Sequence, residues 1–386
     1  MAVPKYPYPI VGGLEKQAHE LSKTLVSRGH EVHVLTSLFD ASQQARETID
    51  GVSIYRLKWY DNPLIRYTLM ITGLARRMWL LRKKIDVVHI HQFTLFGVYV
   101  QFVARLLRLP VITKLPNIGR AGIPGIQSDH FGKLRIKVLK MAHSIIAMTP
   151  VSLQELNDIG YPEQKVLKVT NGISFSEQEL APVPQKLTSI TEVVFVGRLV
   201  QQKGVFTLLN AWRHLPESVR KQARLNLIGD GPLQPELEKL ASDLSLTDSV
   251  KFLGYSDNVK KHLQESHLFV LSSYEEGNSN AILEAMLAGL PIVATSIGGA
   301  RIQVGPKGKN FLFNPDDHKT MAKLIQQFVE NEALRYSTGK AMRERILEKF
   351  SIDRVANTYE EAYRMIIERR SSRMFTVNEE LFDNHG

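Results

Sequence analysis

Two series of alternating strand and helix patterns run along this chain, and a polar linker separates them. Apolar, β-branched runs that predict buried strands occur at residues 31–36, 52–57, 86–91, 110–113, 144–148 and 165–169. A second series occupies residues 192–197, 224–229, 250–253, 268–272, 291–295 and 310–313. Continuous apolar strands with helical segments between them are typical of parallel α/β sheets. The pattern therefore predicts two doubly wound α/β domains.

The linker predicts where the chain divides. Pro182, Pro184, Gln185 and Ser189 interrupt the alternation between residues 175 and 191, as is typical of an interdomain connection. We therefore predict an N-terminal domain over residues 1–180 and a second domain over residues 181–350. A helix over residues 351–370 and a flexible tail over residues 371–386 are expected to follow.

The start of the first domain departs from this pattern. A doubly wound domain normally opens with a central strand that leads into a glycine loop. Here Gly12 and Gly13 follow a segment with prolines at positions 4, 7 and 9. Because proline has no backbone N–H to donate, these residues argue against a central strand. The first strand is expected to be missing or cut short, and we interpret the start of the chain as truncated or misassigned.

Composition excludes several classes of protein. The absence of cysteine rules out a disulfide scaffold, a thiolate metal site and a cysteine nucleophile, and fits a reducing compartment. No apolar run approaches the ~18 residues that span a bilayer, and the proline-rich start is not a signal peptide. The sequence therefore predicts a cytoplasmic protein.

The net charge of +10 lies mostly in the first half of the chain. No RNP-like run, zinc finger or basic zipper accompanies it, so we expect no nucleic-acid partner. Basic residues flank apolar ones at residues 66–84 and 133–140, which predicts two basic amphipathic helices. Two interpretations stay open: peripheral attachment to the inner face of an anionic membrane, or solvated helix faces whose apolar sides pack on the sheet.

A glycine-containing polar loop follows the strand at residues 268–272 and leads into a helix that starts near Asn280. The free amides of a helix start form an anion site. Glu276 lies in the loop and Glu284 one turn inside the helix, where carboxylates can accept hydrogen bonds from sugar hydroxyls. The alternative is a helix with solvated acidic residues near its start.

A second motif follows the strand at residues 192–197. Gly197 and Arg198 begin a loop in which Lys203 stands five residues after the arginine. An arginine fork and a lysine point charge can together bind a diphosphate and stabilise charge on a departing phosphate. Taken alone, two solvated loop cations would explain the pattern equally well.

Together these motifs resemble a known family. The chain is similar to the retaining glycosyltransferases of family 4 (group 1), which have the GT-B fold. The resemblance lies in Gly-Arg-Leu-x-x-x-Lys-Gly at residues 197–204 and in the two glutamates of residues 276–284, the second of which begins Glu-Ala-Met-x-Ala-Gly-x-Pro. Segments 12–15, 86–91, 170–173, 227–232 and 350–356 also resemble that family. The resemblance covers residues 10 to 370.

The resemblance implies two Rossmann-like domains that face each other across a cleft, with the C-terminal helix returning to the first domain. The second domain would hold a nucleotide-diphosphate sugar and the first a hydroxyl acceptor, lipid-linked or free. The catalytic candidates are Glu276 at the sugar hydroxyls and Arg198 with Lys203 at the diphosphate. The other donor-binding candidates are Gly12, Gly13, Gly197, Gly229, Tyr255, Gly277, Asn278, Ser279, Asn280, Ala281, Ile282 and Glu284.

The sequence departs from the family on the acceptor side. Many relatives carry His-Gly after the strand at residues 110–113, whereas this chain has Lys114 and, three residues later, Asn117. Either side chain is a candidate replacement for the missing histidine. His91, at a strand end, is a further candidate, and a structural histidine is the alternative.

The expected reaction is retaining transfer of a sugar to build a polysaccharide, a glycolipid or a small glycoside. No Asp-x-Asp motif is present, so we predict a metal-independent enzyme without a cofactor. A dinucleotide oxidoreductase would need Gly-x-Gly-x-x-Gly, which neither glycine cluster provides. A non-catalytic binder of nucleotide sugars or polyanions stays open as the alternative.

Overall fold

The computed structural model describes residues 1–6, 12–38, 40, 42–58, 63–176 and 189–368, with backbone alone over residues 63–67. The chain divides into two compact units, one formed by Met1–Ser174 with Ile352–Gly386 and the other by Phe175–Ser351. Most of the predicted linker, the last two residues of the predicted final helix (369–370) and the predicted tail (371–386) lie outside the described residues. The helix after residue 351 belongs to the N-terminal unit.

The N-terminal unit contains two groups of hydrogen-bonded strands. The strands are β1 (His33–Leu38), β2 (Arg46–Ile49), β3 (Val52–Lys58), β4 (Val88–Ile90), β5 (Val111–Leu115), β6 (Ser144–Ala147) and β7 (Val166–Lys168). The helices are α1 (Gly13–Ser27), α2 (Pro63–Leu81), α3 (Leu95–Leu106), α4 (Ile123–Ser128), α5 (Gly132–Leu139) and α6 (Pro150–Asp158). The orders are β1-β3-β2 and β4-β5-β6-β7, and within the described residues only the β2–β3 pair is antiparallel.

The first residues of the chain join these two groups. Ala2 forms parallel bridges with Leu35 of β1 and Ile90 of β4. Its N–H donates to the carbonyl of His89 at 2.8 Å, and its carbonyl accepts from the N–H of His91 at 3.0 Å. The prolines therefore do not exclude a central strand, because the pairing residues precede Pro4. Of the two expectations, a strand that is cut short is confirmed for the described residues.

A hairpin joins β2 to β3 and was not predicted. Its turn is Asp50-Gly51, both with positive φ (49° and 77°), which is the conformation of a type I′ turn. Asp-Gly between alternating residues is a strong hairpin signal, so the sequence carried the information. Inside this hairpin the buried Arg56 guanidinium forms an ion pair with Glu47.

The core of the N-terminal unit lies on both faces of its strands. One buried cluster includes Tyr6, Leu21 and Ile112 together with Val355 and Tyr359 of the final helix. The final helix, α15 (Ile352–Ile367), packs against α1. On the other face, the helices α2 and α3 contribute further buried residues, which include Met70, Leu74, Met78, Phe96 and Val100. The strands are thus covered by helices on two sides, as parallel sheets require.

The C-terminal unit is a single sheet with helices around it. Its strands are β8 (Thr191–Val196), β9 (Ala223–Ile228), β10 (Val250–Gly254), β11 (Leu268–Leu271), β12 (Ile292–Thr295) and β13 (Leu312–Phe313). Its helices are α7 (Val205–His214), α8 (Glu217–Arg220), α9 (Gln234–Asp243), α10 (Val259–Glu265), α11 (Asn280–Leu287), α12 (Ala300–Gly308), α13 (His318–Glu330) and α14 (Glu332–Lys349).

The strand order of this sheet is β10-β9-β8-β11-β12-β13, and all its described pairs are parallel. In order of sequence within the unit this is 3-2-1-4-5-6, the doubly wound arrangement. The chain winds outward from β8 in one direction and then, from β11, in the other. The switch point between β8 and β11 is where open α/β sheets bind ligands.

Candidate active site

The two predicted motifs lie at that switch point in the C-terminal unit. Because β8 and β11 are adjacent and parallel, the loops that follow them leave the sheet side by side. The first loop, residues 197–204, carries Gly197, Arg198 and Lys203. The second, residues 272–279, carries Glu276 and leads into α11. The topology thus brings together residues about 75 positions apart in sequence.

Backbone contacts fix the first loop to the second. The N–H of Tyr274 donates to the carbonyl of Gln202 at 2.8 Å, and the Ser272 hydroxyl donates to the carbonyl of Lys203 at 3.0 Å. Gly204 has a left-handed φ of 62°, and a Cβ there would stand 2.1 Å from the carbonyl oxygen of Ser272. Only glycine fits at this crossing, so the sequence Lys-Gly sets the position of the lysine.

An ion pair connects the two motifs. The Lys203 ammonium lies 2.5 Å from Oε2 of Glu276, and the Ser273 hydroxyl donates to the same oxygen at 3.3 Å. The side chains of Lys203 and Glu276 are 19% and 17% exposed. A charge pair that is mostly buried has a defined geometry, because other partners are few. The lysine therefore orients the carboxylate that the sequence assigned to sugar binding.

Arg198 differs from this pair. Its side chain is exposed, and it forms no hydrogen bond or ion pair with any other described residue. Five N–H donors in a planar fork are therefore available to an anion. The loop thus holds one fixed cation and one free cation at the carboxyl end of β8.

The start of α11 provides backbone donors close to these cations. Ser279 is the N-cap residue, and its hydroxyl accepts from the N–H of Ile282 at the long distance of 3.5 Å. The first amides of a helix have no acceptor within the helix. Of the three amides predicted to bind a phosphate, that of Ile282 thus already has an acceptor, and the roles of the Asn280 and Ala281 amides stay predictions.

Two features that support this loop were missed in the sequence. Gln303 of α12 is fully buried, and its amide group donates to the carbonyl of Ser279 at 2.7 Å and to Oδ1 of Asn278 at 3.2 Å. The Gly298-Gly299 turn also touches the loop, since the N–H of Gly299 donates to the carbonyl of Gly277 at 2.6 Å. The signal in the sequence was the glycine pair Gly298-Gly299, which begins three residues after the last residue of β12.

The remaining donor-side predictions occupy separate places. Gly229 directly follows β9, and its N–H donates to the carbonyl of Gly254 at 2.8 Å. Tyr255 is 65% exposed after β10, and its hydrogen bond with Asp257 raises the pKa of its hydroxyl. Glu284 is half-buried in the second turn of α11. Gly229 and Tyr255 thus follow the carboxyl ends of the neighbouring strands β9 and β10, and Glu284 lies in the helix that follows β11.

Gly12 and Gly13 lie in the N-terminal unit, where Gly12 is the exposed N-cap residue of α1. Their predicted place over the donor phosphate stays a prediction.

The three acceptor-side candidates, His91, Lys114 and Asn117, lie in different environments. The ring of His91 is buried and stacks on His89 with centroids 4.1 Å apart, and burial lowers its pKa well below the usual value. Lys114 is also buried, donates to Oδ1 of Asn171 at 2.9 Å and has its pKa lowered to about 8 by burial. Both side chains therefore have core environments. Asn117 lines a cavity of the same unit.

Both basic amphipathic helices are present. In α2, Met70, Leu74 and Met78 are buried, whereas Trp79 is 51% exposed, and in α5 Leu134 is 58% exposed. The helices therefore pack their apolar sides inward and still present apolar side chains among cations. Within the described residues, no helix is long and apolar enough to cross a membrane.

Comparisons with known proteins agree with this geometry. The Glycosyltransferase Family 4 model matches residues 11–177, and the Glycosyl transferases group 1 model matches residues 178–345. An uncharacterized glycosyltransferase of Methanocaldococcus jannaschii is 28% identical over 94% of this chain and 97% of its own length. N-acetyl-alpha-D-glucosaminyl L-malate synthase of Bacillus anthracis is 25% identical over 92% of this chain and 94% of its own.

Among solved structures, Anabaena HepE in complex with UDP-glucose matches with a TM-score of 0.74 at 19% identity, covering 92% of this chain and 96% of that one. Two consecutive family models thus account for most of the sequence, and the folds of the two units agree with them. The chain belongs to the glycosyltransferases of family 4, group 1, which have the GT-B fold.

Proposed function

We propose that this glycosyltransferase transfers a monosaccharide from a nucleoside diphosphate sugar to a hydroxyl acceptor with retention of anomeric configuration and without a metal ion. The observation that carries the proposal is the cluster of Arg198, Lys203 and Glu276 beside the start of α11 at the switch point of the C-terminal sheet. Two cations and the start of a helix favour a diphosphate. The Glu276 carboxylate beside Lys203 favours sugar hydroxyls.

Each group has a distinct role in binding the donor. Arg198 and Lys203 contact the diphosphate, and the amides of Asn280 and Ala281 bind its distal phosphate. Glu276, held by Lys203, accepts hydrogen bonds from the sugar. Glu284 accepts from the ribose, and the base lies near Gly229 and Tyr255. The UDP-glucose bound by Anabaena HepE and the N-acetylglucosaminyl group in the name of the malate synthase support a nucleotide-sugar donor.

The chemical step breaks the bond between the anomeric carbon and the diphosphate oxygen, and the electron pair stays on that oxygen. The acceptor oxygen attacks the same face of the sugar, and its proton passes to the departing diphosphate. Negative charge on the diphosphate increases as the bond lengthens, so preorganised cations stabilise the transition state more than the ground state. Arg198 and Lys203 supply that charge, which is why the proposal needs no divalent ion.

We further propose that the N-terminal unit attaches to an anionic membrane surface. Exposed Trp79, Leu80 and Leu134 lie on the two basic helices, among cations such as Lys83 and Lys133. Each well-placed cation contributes about 1 kcal/mol at an anionic surface. The expected result is co-sedimentation with anionic vesicles at low salt and release at high salt. Absence of binding at low salt would remove the proposal.

A thermal-shift panel of UDP-, GDP- and ADP-sugars tests the donor, because a ligand that binds only the folded state raises the melting temperature. One nucleotide series should stabilise the protein, and Lys203→Met should abolish the shift. Lys239→Met, an exposed lysine of α9, is the matched control. NAD should give no shift, since it is the ligand of the oxidoreductase alternative.

Turnover separates an enzyme from a non-catalytic binder. With the stabilising donor, the nucleoside diphosphate should be released at the same rate in the presence and absence of EDTA. The anomeric coupling constant in the proton NMR spectrum of the product should equal that of the donor. An inverted product would contradict front-face attack, and tight binding without any transfer or donor hydrolysis would favour the binder.

A further inference from the structure

A cavity of about 480 Å³ lies inside the N-terminal unit, outside the donor site described above. Residues from the carboxyl ends of three parallel strands border it: Ser37 of β1, Gln92 after β4, and Leu115 of β5. The carboxyl edge of such a sheet is where ligands bind. The volume falls within the ~300–1,000 Å³ that is usual for small-molecule sites.

The lining of the cavity is mainly apolar. Met70 of α2, Phe93 and Phe96 at the start of α3, and Ile126 of α4 enclose it together with Leu115. These side chains are themselves buried, with at most 8% of their surface exposed. A small polar acceptor would leave such a lining uncovered, whereas a hydrocarbon group would fill it and remove apolar surface from water.

The polar groups at the cavity are positive or neutral. Lys5 and Arg135 both line it, and among the described lining residues there is no carboxylate. Asp129 pairs with the Nη1 group of Arg135 from outside the cavity, and its own side chain is 54% exposed. The cavity therefore favours a ligand that combines a hydrocarbon part with a negative charge.

Two buried polar atoms at the cavity have no partner. The Oγ1 atom of Thr94 and the Nε atom of Arg135 are buried and form no hydrogen bond with any described residue. Thr94 is the N-cap residue of α3, yet its side chain makes no capping bond. A buried donor without an acceptor is unfavourable. Both residues line the cavity, so a ligand with acceptor oxygens there would satisfy the two groups together.

We propose that this cavity binds the acceptor of the reaction, and that the acceptor is an anionic lipid. Its hydrocarbon part would lie against the apolar lining, and its phosphate oxygens would accept from Thr94 and Arg135, with Lys5 adding charge. The exposed Leu95 borders the cavity and continues it toward the surface of α3. This inference rests on the proposed function, since it names the acceptor class of that same transfer.

Binding is best measured by titration calorimetry with dihexanoyl phosphatidylglycerol, used as monomers below its critical micelle concentration. Three control compounds each lack part of this phospholipid. Glycerol 1-phosphate lacks the hydrocarbon, dihexanoylglycerol lacks the charge, and malate is a small anionic hydroxy acid. The phospholipid is expected to bind at least tenfold more tightly than each of the three. Equal binding of glycerol 1-phosphate or malate would overturn the proposal, because the apolar lining would then play no part.

Variants locate the site. Ala121→Trp places a large side chain at the exposed border of the cavity and should weaken lipid binding at least tenfold. Ser128→Trp, at an exposed residue of α4 that does not line the cavity, should bind like the wild type. Unchanged binding by Ala121→Trp would overturn the assignment. Thr94→Val, which keeps the shape of the side chain, should weaken binding about threefold.

The role of the guanidinium is tested separately. Arg135→Gln should weaken lipid binding at least fivefold, whereas Arg105→Gln, at an exposed arginine in the last turn of α3 and outside the cavity lining, should not. Asp129→Asn removes the ion pair but keeps the arginine, so it should bind lipid as tightly as the wild type or more tightly. Weakening by Asp129→Asn equal to that of Arg135→Gln would show that the ion pair acts structurally and would contradict direct phosphate contact.

UDP binding, measured on the same preparations, distinguishes the two proposals. Lipid binding without any nucleotide binding would leave the lipid site intact but remove the proposed transfer, and with it the role of the lipid as acceptor. Nucleotide binding and turnover with no lipid binding would do the reverse. The donor-side variant Lys203→Met should leave lipid affinity unchanged, because Lys203 is not among the residues that line the cavity.

Discussion

Replacement of Lys203 by methionine separates the stability of the donor site from its chemistry. The lysine forms a 2.5 Å ion pair with Glu276, and the two side chains are only 19% and 17% exposed. Breaking a fully buried pair costs about 3–5 kcal/mol, and an exposed pair contributes at most ~1 kcal/mol. For this intermediate burial we expect Lys203→Met to lower the free energy of unfolding by about 2 kcal/mol.

The activity loss should be larger and should have a different origin. Removing one preorganised charge donor to a developing oxyanion typically costs ~10²–10³ in kcat. The double variant Lys203→Met/Glu276→Gln no longer contains an unpaired buried carboxylate. We therefore expect its free energy of unfolding to return to within about 0.5 kcal/mol of the wild type, while its activity stays low.

The wild type, the two single variants and the double variant form a double-mutant cycle. Chemical denaturation measures their free energies of unfolding, and a donor-turnover assay measures their activities. Lys239→Met controls for the loss of one surface charge. Recovery of activity together with stability in the double variant would refute the reasoning, because the lysine would then act only by neutralising Glu276. A loss of less than threefold in Lys203→Met would refute the diphosphate contact itself.

Three further changes test the surroundings of the site. Gly298→Ala puts a Cβ 1.7 Å from the carbonyl oxygen of Glu276 at a φ of +50°. It should lower the free energy of unfolding by about 2 kcal/mol or more and weaken UDP binding. The control Gly29→Ala, with a φ of +90° and open space around it, should lower the free energy of unfolding by only ~1 kcal/mol and leave UDP affinity unchanged. Gln303→Leu leaves the N-cap residue of α11 without its buried partner and should lower stability by about 1–3 kcal/mol in a urea titration. Burial lowers the pKa of Lys114 to about 8, below its unfolded value of ~10.4, so the unfolded state binds more protons between these values. Wild-type stability, relative to Lys114→Met, should therefore rise by about 2–3 kcal/mol from pH 8 to pH 10.4; parallel pH profiles of the two proteins would contradict this.

The strand pattern could be predicted because it depends on local sequence. Every predicted strand coincides with an observed one to within two residues at each end, from β1 (His33–Leu38) to β13 (Leu312–Phe313). Buried parallel strands are apolar on both faces, so their signal does not depend on which neighbours they find. The short strand β2 was missed because its alternating polar sequence resembles a loop. Only the Asp-Gly turn indicates the hairpin.

The opening of the chain shows where local rules fail. Three prolines within nine residues argue against a long central strand, and the described residues 1–6 form only the two bridges of Ala2. However, the N–H and carbonyl of Ala2 bond to the β4 side, the Val3 N–H and the Met1 carbonyl bond to Leu35 of β1, and all of these groups lie before the first proline. A rule about whole strands cannot detect a pairing of two or three residues.

In the candidate site, too, residues in local motifs could be predicted from the sequence, and residues that act through distant contacts could not. Lys203 and Glu276 were predictable, because their loops follow apolar strands and contain the glycines that tight crossings need. Gln303 was not, since a glutamine in a helix carries no sign of what it will contact in a neighbouring loop. The cavity beside Thr94 was equally hidden, because its lining comes from three strand ends and four helices that are far apart in sequence. The residues proposed to bind the donor lie in short motifs, which the sequence shows directly. The residues proposed to bind the acceptor are dispersed along the chain. The acceptor therefore has to be inferred from packing and from unpaired polar atoms.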